Sequence, residues 1–170
     1  MAPLAWSYGG FIVQSSRYFT SPREQGCPEC LALAYAFKEA SLTKHAPVSQ
    51  IVTDRPASMA SLANLLEGKK KRQVRLEFCN ALLLLRYYVE EAVKLHGKVS
   101  VKWYDGRDPS WLPDVTAKQG RDSVHIDDTL EAPSEIFDPT RKCNIVISQI
   151  ERNHNGLLTA CVVQMKTQHN

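Results

Sequence analysis

Apolar and polar positions change period several times along the chain, and each change marks a predicted element. Leu4–Trp6 and Phe11–Phe19 are rich in aromatic and β-branched residues, with Gly9-Gly10 between them, and read as extended. Pro28 suits a first helical turn. Leu31, Ala32, Ala34, Tyr35 and Phe37 then form the apolar face of a helix of about three turns. Val48–Asp54 is a short apolar run ending in an acid, read as a buried strand. Pro56 breaks it, and Ala57–Leu66 predicts a second helix closed by Gly68. Val74–Leu95 predicts a long helix, apolar on most faces around Leu82–Leu85 and stopped by Gly97. Lys98–Tyr104 alternates polar and apolar, the signature of a strand with one buried face. Asp105–Pro113 reads as a loop and Asp114–Gln119 as a short helix. Cys143–Ile150 and Leu157–Met165 read as strands joined through Asn153-His154-Asn155-Gly156, whose Asn-Gly is a hairpin signal.

Helices between strands predict an α/β domain with a mixed β-sheet, helices packed on it and a C-terminal β-hairpin. The expected division is a core over 1–120, an acidic connection over 121–134, and a hairpin segment over 135–170 that is available to complete the sheet. The length of 170 residues fits one domain. With 44% hydrophobic and 23% charged residues, the composition is that of a globular chain and excludes a disordered one. No unbroken apolar run, Ala81–Leu85 included, approaches the roughly 18 residues of a membrane span. Met1-Ala2-Pro3-Leu4 shows no basic segment followed by an apolar core, so no signal peptide and no membrane partner are expected. Five cysteines, an odd number, point to a reducing intracellular compartment, cytoplasmic or nuclear.

The net charge of +3 is unevenly spread. Residues 67–102 hold nine Lys/Arg against four Glu, and residues 120–140 hold one Arg against six acids. Lys69, Lys70, Lys71, Arg72 and Arg75 have the character of a phosphate-backbone grip, and equally of a solvated turn between helices. Three carboxylates fall at element boundaries: Glu29 in the first turn of the first helix, Asp54 at the end of a strand, and Asp114 at the start of a short helix. Each alone suits a helix dipole or an N-cap. Converging, they would form the oxygen-rich site that hard divalent cations prefer and that two-metal phosphodiester hydrolysis requires.

The order of these segments resembles the ribonuclease H fold, most closely the RNase H domain of copia-type retrotransposon polyproteins. Pro3-Leu4-Ala5-Trp6 is similar to that family's apolar strand ending. Thr20–Leu33 resembles its lead into the first helix and sets Glu29 at the helix-borne catalytic Glu. Ile51-Val52-Thr53-Asp54 resembles its next strand and Asp. Val99–Tyr104 with Leu112-Pro113-Asp114-Val115-Thr116-Ala117-Lys118 resembles its last strand and final Asp. The resemblance covers residues 1–120. It implies Mg²⁺- or Mn²⁺-dependent hydrolysis of RNA in an RNA–DNA hybrid, with Glu29, Asp54 and Asp114 as catalytic and metal-binding residues. It also sets the basic cluster near the hybrid.

Two departures qualify it. No Asp precedes Asp54, so the family's first-strand Asp is missing from its place, and the loop Gly106-Arg107-Asp108-Pro109 lacks the His many such enzymes carry. Glu135-Ile136-Phe137-Asp138 resembles the missing strand, which would make Asp138 a fourth catalytic and metal ligand in a circularly permuted or decayed domain. The plainer reading of Asp138-Pro139 is a turn. A catalytically inactive nucleic-acid or protein interaction module therefore stands beside the nuclease. A third reading is a thiol redox protein using Cys27 and Cys30, a CxxC that opens a helix.

Overall fold

The computed structural model describes residues 28–44, 47–48, 50–53, 57–68, 76–103, 132–138 and 140–167. In chain order these form α1 (Pro28–Leu42), β1 (Gln50–Thr53), α2 (Ala57–Leu66), α3 (Leu76–His96), β2 (Lys98–Trp103), a 3₁₀ turn (Ser134–Phe137), β3 (Ile145–Arg152) and β4 (Leu158–Met165). The class is α/β, with one mixed four-stranded open sheet in the order β1-β2-β4-β3. The expected strands at Leu4–Trp6 and Phe11–Phe19 and the expected helix at Asp114–Gln119 lie outside the described residues.

β1 and β2 are parallel, with Ile51 opposite Val101 and Thr53 opposite Trp103. A parallel pair needs a crossover, which α2 and α3 supply. β2 and β4 are antiparallel, with Val99 opposite Val163 and Val101 opposite Cys161. Those four side chains are almost fully buried, as is Ile145 of β3, and they define the helix-facing side of the sheet. The alternate residues Lys98 and Lys102 are exposed, as the strand period of two requires.

α1 and α3 pack along one another. Ala34 and Ala40 of α1 and Ala81 and Ala92 of α3 are all buried, and such small side chains let two helix backbones approach closely. Phe37, Leu85 and Val89 fill the same core, which continues through Met59 and Leu62 of α2 and down to the sheet. α3 ends where Gly97 takes φ +82° and its N–H donates to the Val93 carbonyl at 2.7 Å. A residue with a Cβ is strained in that left-handed conformation, so Gly97 permits the immediate passage into β2.

β3 and β4 are antiparallel neighbours. Between them the Asn153 side chain accepts from the N–H groups of Asn155 (2.9 Å) and Leu157 (3.0 Å), and Gly156 takes φ +79°. Register shifts between Ser148 and Glu151, where Gln149 has φ +49°, the geometry of a bulge.

One expectation is corrected within the described residues. Glu135–Asp138 is not a strand: Ser134–Phe137 makes a single 3₁₀ turn, with the Ile136 N–H donating to the Pro133 carbonyl at 3.2 Å. Ile136 is 2% exposed, while Phe137 is 38% exposed. One turn buries the first against the body of the protein, and the Asp138–Thr140 turn that follows ends the segment.

Candidate functional site

The sequence directs attention to four acids. Glu29 is the second residue of α1, and its side chain lies outside the description. Asp54 and Asp114 lie outside the described residues, as do Lys69, Lys70, Lys71, Arg72 and Arg75. Among the described residues, no group of three or more His, Cys, Asp or Glu is arranged to hold a metal ion.

Asp138 is exposed, and its Oδ1 accepts two hydrogen bonds from Thr140, one from the N–H (2.9 Å) and one from the hydroxyl (2.6 Å). These are the bonds of an Asx turn. The Thr140 hydroxyl and then its N–H hold the Asp138 carboxyl below the usual value. Slight desolvation opposes them, and the Arg86 charge reinforces them. The group is thus an ionised oxygen donor, chemically fit for a hard cation, but one of its oxygens already serves the turn.

The densest polar chemistry in the described residues was not singled out by the sequence. Arg86 and Glu90, one turn apart on α3, are 3% and 4% exposed. Arg86 gathers three carbonyls of the segment that leads into β3. Its Nη2 donates to the carbonyls of Asp138 (3.2 Å) and Ile136 (3.4 Å), and its Nη1 to that of Arg141 (3.5 Å). Glu90 faces Arg141 at 3.6 Å and Lys94 at 3.9 Å, and accepts from the Cys143 thiol at 3.6 Å. The satisfaction is incomplete, because Arg86 Nε and Arg141 Nη1 are buried without a hydrogen-bond partner among the described residues. An orphaned buried donor costs about 1–3 kcal/mol, so the closed arrangement carries a penalty. Nothing in the sequence signals this burial, because α3 carries Glu77, Glu91 and Lys94 as well and an Arg–Glu pair one turn apart usually marks a solvated face.

Of the CxxC pair, Cys27 lies outside the described residues, and Cys30 is buried at 1% exposure in the core of α1. Burial raises the Cys143 thiol, with a backbone bond to Ile145 opposing and Glu90 adding to the rise. Burial alone pushes Cys161 up to about 11.

Among the described residues, no helix is long and apolar enough to cross a membrane. A scan against protein-family models, a search of curated proteins and a search of solved structures each returned no match.

Proposed function

We propose that this chain is an RNase H-like nucleic-acid-processing domain. Its chemistry would be divalent-metal-dependent hydrolysis of the RNA strand in an RNA–DNA hybrid. The observation that carries the reading is the parallel pairing of β1 with β2, with Thr53 opposite Trp103. Both strands end at the same edge of the sheet, and ligands of α/β sheets gather outside the carboxyl ends of such strands. Asp54 is the next residue in the sequence after Thr53, and Asp114 follows Trp103 by eleven positions. In this reading Glu29, Asp54 and Asp114 would hold Mg²⁺ or Mn²⁺, which would supply the Lewis acidity that phosphodiester hydrolysis needs. The basic residues 69–72 with Arg75 grip the hybrid backbone.

A second reading, a module that binds nucleic acid or protein without cutting, draws on Asp138. Its place at the end of a 3₁₀ turn rather than in a strand, and its bonds to Thr140, favour a structural role over that of a fourth ligand.

The full chain incubated with an end-labelled RNA–DNA hybrid in millimolar Mg²⁺ or Mn²⁺ tests the proposal. Cleavage of the RNA strand that is lost in Asp54→Asn and Glu29→Gln supports the nuclease. Hybrid binding without cleavage supports the second reading. Neither binding nor cleavage rejects both.

A further inference from the structure

We propose that the described residues 132–138 and 140–143 form a strap that lifts from α3 while the sheet and helices stay folded, with Arg86 as its latch.

The strap has little apolar adhesion. Among its described residues only Ile136 is buried; Ser134, Glu135, Phe137, Asp138, Thr140 and Lys142 are exposed. It forms no strand pairing, since β3 begins only at Ile145. Its local hydrogen bonds are within itself: Ile136 to Pro133, Asp138 to Glu135 and Arg141 to Asp138. What ties it to α3 is polar. One guanidinium takes the carbonyls of Ile136, Asp138 and Arg141, and one carboxylate, Glu90, faces Arg141 and Cys143.

This seat differs from an apolar one in what opening exposes. Lifting an apolar strap uncovers hydrophobic surface. Lifting this one uncovers the Ile136 and Cys143 side chains but, beside them, an arginine and a glutamate, which water solvates well. Closure also leaves Arg86 Nε and Arg141 Nη1 buried and, among the described residues, unpartnered, and opening would hydrate both. The closed state therefore holds against a penalty that opening relieves, as expected of a segment with low local stability on a stable body.

Hydrogen exchange on the full wild-type chain tests this. The hydrogen-bonded amides of Ile136, Asp138 and Arg141 should exchange at least tenfold faster than the paired amides of β4 and the central amides of α3. Exchange of both sets at one common rate would overturn the proposal, because the strap would then open only with the whole protein. Arg86→Met keeps a long side chain without the fork of donors. It should speed exchange at 136, 138 and 141 further, with β4 unchanged; unaltered strap exchange would overturn the role of Arg86 as latch. If Arg86→Met does not fold, Arg86→Lys replaces it under the same two outcomes, and the wild-type comparison stands without either variant.

Discussion

The Val48 N–H donates to Nδ1 of His96 at 3.2 Å, tying the entry to β1 to the last residue of α3. The same ring's Nε2 lies 2.8 Å from the Ala40 carbonyl near the end of α1. With Nδ1 accepting and Nε2 donating, one imidazole satisfies two backbone groups of different elements and fixes where α1 and α3 finish side by side.

Replacing His96 by Ala should destabilise the fold by about 2 kcal/mol or more, because each abandoned backbone group costs roughly 1–3 kcal/mol when it is shielded from water. The two bonds are separable. The Asn amide oxygen sits near the position of Nδ1, and the Gln amide nitrogen near that of Nε2. His96→Asn and His96→Gln should each recover part of the loss. Urea unfolding midpoints at constant slope give the comparison, and a His96→Ala midpoint equal to wild type would show that neither bond matters.

The close approach of α1 and α3 gives a second expectation. Ala34 and Ala92 are both fully buried. Ala92→Leu adds three carbons where helix backbones meet and should cost about 1–3 kcal/mol through overpacking. Phe37→Ala in the same core should cost about 3–5 kcal/mol through the cavity it leaves. Denaturant unfolding measures both, and a neutral Ala92→Leu would show that the helices part more easily than their buried alanines imply.

The cysteines supply a pH dependence. The Cys161 thiol rises from the ordinary value of 9.0 to about 11 because it is buried, and Cys143 rises in the same direction. The unfolded chain therefore releases these protons first as pH increases. Stability from the neutral thiols is intact below about 9 and declines as pH climbs from 9 toward 11. Cys161→Ala should flatten that alkaline decline. Alkylation of Cys161 at pH 8 should proceed only as fast as the protein opens, which mass spectrometry of labelled peptides reads directly.

The legible and illegible parts of this chain divide by range. α2 has the bounds that Pro56 and Gly68 predict, and β2 begins directly after Gly97, because prolines and glycines act on the backbone locally. The alternation over Lys98–Trp103 likewise states its own buried face. Glu135–Asp138 misleads because four residues with two apolar centres fit a strand and a turn equally well. The choice falls to Arg86, some fifty positions earlier, which takes the carbonyls of Ile136 and Asp138. The burial of Arg86 and Glu90 is invisible for the same reason: a pair one turn apart on a helix usually marks a solvated face, and only the docked strap removes the water. Of the four acids, the surroundings of Asp138 alone are described, so the candidate site is legible as an order of residues rather than as a geometry.

Asp138 separates the two functional readings. Asn at this position keeps an oxygen where Oδ1 accepts from the Thr140 N–H and hydroxyl, so Asp138→Asn should preserve the turn and the fold. It removes the charge. The Asp138 carboxyl is held below its ordinary value of 3.8, chiefly by the Thr140 hydroxyl. The stability it lends is present above that value and lost as pH falls through the depressed one. Asp138→Asn should therefore reduce the acid sensitivity of unfolding near and below pH 4, while Thr140→Val, which deletes the hydroxyl bond but spares the N–H, should reduce it in part. Because Oδ1 serves the turn and the segment is not a strand, any hydrolysis of an RNA–DNA hybrid by the wild-type chain should survive in Asp138→Asn, with the catalytic acids confined to Glu29, Asp54 and Asp114. Abolished cleavage in a folded Asp138→Asn protein would reverse that assignment and make this carboxylate a metal ligand in its own right.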